Sequence, residues 1–341
     1  MASPRVLVVK LSSLGDLFHA LPAVRAIREG LDARVDWVTQ TEYAELVRCF
    51  TDVERVIPFP RREFPRGGLT FLRALRERSY DMVLDFQGLL KSAMVAWLAR
   101  SPRRIGPACG REGSARLYTE RAGPPDRSRH AVEQGLDLAR HLGLPVSTPV
   151  FPVRFPPVDF PLPGPRVALV PCSRWPTKNW PPDLFYDVAR GLQEQGASVF
   201  LFGSPEDQAT CAAIERGLSG NIADLCGRTS LVELGGWMAG MDLVISVDSG
   251  PMHIAAALGR PVLAVFGPTD PARTGPYGPM HRVLLADDCP CRPCYKRACE
   301  REDLACLRHI SPDLVLRSAL EMLHARGDAR PESVQQIPPG L

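Results

Sequence analysis

The stretch RVLVVKLSSLGDLFHALPAVRAIREGLDARVDWV, residues 5–38, decides the fold. Val6 to Val9 is an unbroken apolar run between Arg5 and Lys10, the length and composition of a strand buried on both faces. Residues 16–28 repeat apolar side chains at helical spacing, and residues 34–38 read as a second strand. Two parallel strands need a crossover connection, and a helix between them supplies it. The same rhythm extends outward, with predicted helices at 42–49, 69–78 and 88–99 and predicted strands at 53–57, 82–85 and 103–106. A parallel sheet covered on both faces follows. The first strand begins almost at Met1, with no long apolar segment or small-residue cleavage site ahead of it, so a cytoplasmic location is expected.

Between Pro145 and Pro165 eight residues are proline. Proline has no amide hydrogen to donate and fixes φ, so this stretch is a linker rather than a helix or inner strand. Beyond it the rhythm restarts, with strands at 167–170, 198–202, 243–247 and 262–266 and helices at 182–195, 205–218, 230–239 and 250–258. Ser311 and Pro312 open a last helix predicted to run to about Arg326. The reading is therefore an α/β chain of two doubly wound, Rossmann-like domains facing a central cleft. They span residues 1–155 and 156–326, followed by a disordered tail at 327–341. Such sheets bind ligands beyond the carboxyl ends of their strands, so the loops after strands carry the chemistry.

Composition narrows the classes. Apolar residues make up 45% and charged residues 23% of 341, which excludes wholesale disorder. No run approaches the roughly 18 uncharged apolar residues of a membrane helix. Net charge is only +3, yet residues 55–130 hold 16 Lys and Arg against 7 Asp and Glu. That imbalance suits an anionic partner, whether phosphorylated lipid, membrane surface or nucleic acid, and equally describes a solvated arginine-rich face.

Four loops stand out. Lys10-Leu-Ser-Ser-Leu-Gly-Asp16 joins the first strand to a helix carrying His19 and Pro22; it reads as a backbone cradle for a phosphate or sugar, or as Asp16 capping its helix. Ser246-Val-Asp-Ser-Gly-Pro-Met-His253 passes from strand to helix and offers unpaired amides to an anion such as a diphosphate. Pro171 to Pro181 holds Arg174 and Lys178 between Trp175 and Trp180, and Phe202-Gly-Ser-Pro-Glu-Asp207 puts two carboxylates in a first helical turn. Neither G-x-G-x-x-G nor G-x-x-x-x-G-K-[ST] occurs, which removes the main support for nicotinamide redox chemistry and P-loop hydrolysis.

Together with Asp85-Phe-Gln-Gly-Leu-Leu-Lys91 and Phe266-Gly-Pro-Thr-Asp-Pro271, these segments resemble the ADP-heptose:lipopolysaccharide heptosyltransferases of glycosyltransferase family 9, type I in particular, from about residue 5 to 320. The resemblance implies a GT-B glycosyltransferase that moves a heptose, with inversion, from ADP-heptose to the anionic inner core of lipopolysaccharide at the inner-membrane surface. It implies Asp16 as general base, with a nearly ordinary pKa, and Lys178 as the cation on the donor diphosphate. Asp207 would contact the ribose, Asp248, Ser249, Gly250 and His253 would line the donor site, and Ser12 and Ser13 would form its floor. Arg61, Arg62, Gln87 and Lys91 would face the acceptor. Nucleic acid is not an expected partner, and no cofactor is required, since no Asp-x-Asp motif is present to hold a metal. The competing readings are a GT-B relative with another donor or acceptor, a nucleotide-sugar epimerase, and a non-catalytic bilobal protein that closes on an anionic ligand.

Five of the ten cysteines crowd residues 289–306. Cys291, Cys294, Cys299 and Cys306, with Cys289 just upstream, are candidates for a structural zinc site, an iron-sulfur cluster or reversible disulfides.

Overall fold

The computed structural model describes residues 3–146 and 148–328. One sheet is built from β1 (Arg5–Val9), β2 (Arg34–Gln40), β3 (Arg55–Phe59), β4 (Met82–Asp85), β5 (Arg103–Pro107) and β6 (Glu120–Ala122). Every pair is parallel and the spatial order is β3-β2-β1-β4-β5-β6. The second sheet uses β7 (Arg166–Val170), β8 (Ser198–Leu201), β9 (Ile222–Asp224), β10 (Leu243–Val247), β11 (Val262–Val265) and β12 (Arg282–Leu284), in the order β12-β11-β10-β7-β8-β9. Counted from its own first strand, the second sheet repeats the topology of the first. Each sheet reverses direction between its first and fourth strands, at β1/β4 and at β7/β10, and there the strand ends part into a crevice.

Helices α1 (Leu14–His19), α2 (Leu21–Leu31), α3 (Ala44–Val47), α4 (Phe64–Arg76), α5 (Leu90–Leu98) and α6 (Ala131–His141) belong to the first half. The second half carries α7 (Pro182–Glu194), α8 (Gln208–Glu215), α9 (Leu231–Ala239), α10 (Gly250–Ala257), α11 (Pro271–Thr274), α12 (Ala305–Arg308) and α13 (Pro312–Asp328). No helix among the described residues is long and apolar enough to cross a membrane.

Several elements differ from expectation. The helix predicted over 16–28 is two helices broken at Ala20, because Pro22 cannot donate to the Phe18 carbonyl and its ring crowds that turn. The predicted helices at 42–49 and 205–218 each open with a 3-10 turn, Thr41–Tyr43 and Pro205–Asp207. β6, β9, β12, α6, α11 and α12 were not anticipated. α13 runs through Asp328, two residues into the predicted tail; the rest of that tail lies outside the described residues.

The two halves share a core. One apolar cluster runs from Phe18, Trp37 and Phe50 through Phe155 to Met238, Met252 and Phe266. The proline-rich segment is fastened at Pro152, Val153 and Phe160. Val153 bridges to Phe50, the Thr51 amide donates to the Pro152 carbonyl at 2.9 Å, and Phe160 packs edge-on against Trp237.

Candidate active site

At the crevice of the first sheet lies a cavity of about 460 Å³, lined among others by Lys10, Asp16, His19, Gln87, Arg111 and Arg127. Arg273, from α11 of the second half, closes its far side, and its Nε donates to the Arg127 carbonyl at 2.8 Å. The loop after β4 holds the loop after β1: Gln87 Oε1 accepts the Leu11 and Ser12 amides at 3.2 and 3.1 Å. Gln87 is held in turn by Asp85, which is buried and accepts from the Gln87 amide at 2.7 Å and from the Tyr118 hydroxyl at 2.7 Å. Lys10 Nζ donates to the Phe86 carbonyl at 2.9 Å, which leaves its charge facing the cavity.

Asp16 divides its two oxygens between structure and cavity. Oδ2 accepts from the amide and hydroxyl of Ser13 at 2.8 and 2.7 Å, closing a capping box at the start of α1. Oδ1 lies 3.8 Å from His19 Nδ1. Both readings of the loop therefore hold: the residue caps its helix and lines the cavity. Burial opposes ionisation, but the Lys10 ammonium, His19 and the Ser13 amide outweigh it. They hold the carboxyl well below the usual carboxylate range, not at the nearly ordinary value expected, so the group is fully ionised at neutral pH.

The crevice of the second sheet holds the matching cation. Lys178, on the loop after β7, pairs with Asp248 at the end of β10, Nζ to Oδ2 2.7 Å. The Thr269 hydroxyl donates to the same oxygen at 2.6 Å. The ammonium also stands over the Trp175 ring, 4.7 Å from its centre. Asp248 leads into α10, whose cap residue Ser249 engages Ser246 through their hydroxyls at 3.1 Å, so that the Gly250 and Met252 amides open the helix beside this ion pair. Asp207 sits in the loop after β8, where its Oδ2 accepts the Ser204 amide at 2.8 Å and hydroxyl at 2.7 Å.

The two crevices meet where α1 packs on α10. His19 Nε2 and His253 Nδ1 are 3.1 Å apart, one from each half and both buried. Burial, then the neighbouring His19, keeps His253 neutral. His19 Nδ1 makes no hydrogen bond and lies 3.8 Å from Asp16 Oδ1, so the carboxylate and the two imidazoles stand next to one another across the interface. The Asp16 and Lys178 charges both act on the His253 ring. Two motif glycines permit the approach. A Cβ on Gly15 would fall 2.2 Å from His253 Cδ2, and one on Gly250 would fall 2.4 Å from Leu14 Cδ2.

Of the residues singled out from sequence, Ser12, Ser13, Asp16, Gln87, Lys178, Asp248, Ser249, Gly250 and His253 line these two crevices or the junction between them. Arg61 and Arg62, in the turn after β3, and Lys91, on α5, are exposed and do not line the cavity. Sequence reasoning named Lys10 and His19 with the first motif loop without a role and did not single out Arg111, Arg127 or Arg273. A signal was present for His19, one helical turn after Asp16 on the same face. Arg127 and Arg273 lay beside elements the reading had not assigned.

Cys289, Cys291, Cys294, Cys299 and Cys306 were candidates for a metal site or disulfides, and no three of their sulfurs lie within 4.8 Å of one another. Cys306 is buried on α12 while Cys291 is exposed, and the only close approach among the five is Cys289 to Cys291, Sγ to Sγ 3.4 Å. The segment works instead as a brace. The Thr177 hydroxyl donates to the Lys296 carbonyl at 2.7 Å and Trp180 Nε1 to the Leu307 carbonyl at 3.1 Å, which fixes the Lys178 loop. Among the described residues, the side chains of metal-binding type that converge are Cys211, Asp224 and Cys226, whose ligand atoms lie within 4.8 Å of one another.

Two doubly wound parallel sheets of one topology, whose halves meet where α1 packs on α10, are the architecture of a GT-B glycosyltransferase. The profile of glycosyltransferase family 9 (heptosyltransferase) matches residues 69–305, and the chain belongs to that family. It is 34% identical to lipopolysaccharide heptosyltransferase 1 of Pseudomonas aeruginosa over 94% of this chain and 98% of that protein. The structure of E. coli heptosyltransferase WaaC with ADP is similar at TM-score 0.76 and 27% identity, over 93% of this chain and 99% of the other. WaaC with ADP-2-deoxy-2-fluoro heptose matches at TM-score 0.74 and 26% identity, over the same shares.

Proposed function

We propose that the protein transfers a heptose from ADP-heptose to the anionic inner core of lipopolysaccharide, at the cytoplasmic side of the inner membrane, with inversion at the sugar carbon. The observation that carries this reading is the contact between the halves, where His19, one helical turn after Asp16, meets the buried His253 of α10, the helix led into by Asp248, the partner of Lys178. Displacement at an anomeric carbon needs a base on the incoming hydroxyl and a counter-charge for the departing diphosphate. Asp16 Oδ1 takes the proton of the acceptor hydroxyl as its oxygen bonds to the sugar carbon. The bond from that carbon to the diphosphate breaks, and its electron pair stays on the phosphate oxygen. Lys178 and the Gly250 and Met252 amides receive that charge, the role a metal fills in other transferases, and Asp207 contacts the ribose.

The acceptor side is basic for the same reason. Lys10, Arg111, Arg127 and Arg273 around the cavity provide the charges that phosphates of an inner core require, and we assign them, with Gln87, to the acceptor in place of Arg61, Arg62 and Lys91.

Incubation with a panel of nucleotide sugars tests the reading. ADP is expected from ADP-heptose only when a lipopolysaccharide-core acceptor is added. Release without acceptor would indicate hydrolysis or epimerase-like chemistry, and binding without release would favour a ligand-closing protein.

A further inference from the structure

Helices α4 and α5 lie side by side on one face of the first sheet. Phe71 and Leu75 of α4 and Val95 and Ala96 of α5 join Leu7 and Val9 in one apolar cluster, and Arg76 Nε donates to the Leu98 carbonyl at 2.9 Å. The outward face of α5 is largely apolar where a solvated helix would be polar, and α4 adds one large apolar side chain among Arg66, Thr70 and Arg73. On α4 Leu69 is 70% exposed; on α5 Leu90, Met94 and Trp97, at spacing i, i+4, i+7, are 41%, 50% and 55% exposed. Large apolar side chains of comparable exposure elsewhere, Val150, Met280 and Tyr295, are scattered.

A single exposed leucine means nothing, but four large apolar side chains on two adjoining helices make a patch. Its surroundings are cationic. Arg66, Arg73, Lys91 and Arg100 are exposed around it, and a second cavity of about 540 Å³ opens beside Trp97 between Arg76, Arg100 and Arg104. Two of the nearby acids are engaged, Glu77 with Arg55 at 2.5 Å and Glu112 with the Leu90 amide at 3.2 Å, while Glu63 at the start of α4 is exposed. A protein partner that covers apolar side chains does not call for a rim of unpaired arginines, whereas a lipid headgroup layer takes both. Tryptophan settles at the boundary between headgroups and acyl chains, methionine and leucine enter the acyl edge, and guanidinium groups meet phosphates.

The patch is also well placed. α5 starts two residues after Gly88, which lines the acceptor cavity, so its nine residues, about 13 Å of helix, lead from the cavity rim to Trp97. We infer that the α4–α5 face is the surface by which the protein sits on an anionic phospholipid bilayer, with Met94 and Trp97 entering the interface and Arg73 and Arg100 facing phosphates. A lipid-borne acceptor then reaches the cavity without leaving its membrane. Only that consequence rests on the proposed acceptor; docking itself is measured with neither donor nor acceptor present.

The test is co-sedimentation of the full chain with vesicles of phosphatidylethanolamine and phosphatidylglycerol, against vesicles of phosphatidylcholine alone. Binding to the anionic vesicles is expected, weakening steeply with salt. Trp97 fluorescence should shift to the blue on binding, and the shift should be lost in Trp97→Phe while binding remains. Met94→Ser with Trp97→Ser, and separately Arg73→Glu with Arg100→Glu, should each reduce vesicle affinity about tenfold or more. Both alter exposed side chains, so the melting temperature and ADP release with a water-soluble core oligosaccharide should stay near wild type. Equal binding to both vesicle types, undiminished binding in both double variants, or a wild-type dimer split by the Met94→Ser, Trp97→Ser variant would overturn the assignment.

Discussion

Replacing Asp16 by asparagine is expected to lower the rate of heptose transfer by about 10² to 10⁴, with ADP affinity and melting temperature close to wild type. The substitution is a fair test because the two carboxylate oxygens have separate tasks. An amide oxygen can still accept from the Ser13 amide, as Oδ2 does at 2.8 Å, so the helix start is retained at a cost of at most about 1 kcal/mol. What is lost is the charge at Oδ1, the oxygen that faces the cavity. The low pKa adds a constraint: a weak base gains the proton only as the new bond forms, so the rate should show no acid limb from Asp16 near neutrality. Transfer by the asparagine variant within tenfold of wild type would assign the proton to another group.

Lys178→Met is expected to cost about 10² to 10³ in turnover, the usual size for one donor to a developing anion. It should also destabilise the fold, because it leaves the buried Asp248 carboxylate facing only the Thr269 hydroxyl. Losing one partner of a buried pair costs about 3–5 kcal/mol, and Lys178, with 16% of its side chain exposed, should fall toward the low end. Turnover and stability separate in the double variant Lys178→Met, Asp248→Asn, which removes both charges. Its melting temperature should recover most of the loss while turnover stays low. Recovery of turnover along with stability would mean that the lysine serves only to hold Asp248.

The extent to which this was legible in the sequence follows from what each feature depends on. β1, β4, β7 and β10 line the switch points and are buried on both faces, so they stand out as apolar runs. β6, β9 and β12 are edge strands of three residues, Glu120–Ala122, Ile222–Asp224 and Arg282–Leu284, too short and too polar for periodicity to mark. The motif loops were found because strand-to-helix turns that meet anions need small residues and unpaired amides. Their pairing was not legible. That Lys178 meets Asp248, or His19 meets His253, depends on contacts between distant positions, which no local pattern reports. Gly15 and Gly250 show the limit well: both lie in motif loops, and each is small so that the other half of the molecule fits against it. The cysteine segment shows the same limit: closely spaced thiols read as ligands, and spacing along the chain does not report whether three of them converge within 4.8 Å, which these do not.

The central claim is that base and leaving-group charge stand on opposite sides of one sugar carbon, supplied by opposite halves of the chain. Nuclear magnetic resonance of the isolated product, read at its new anomeric centre, tests that most directly. The arrangement predicts a configuration opposite to that of the donor; a retained configuration would contradict it.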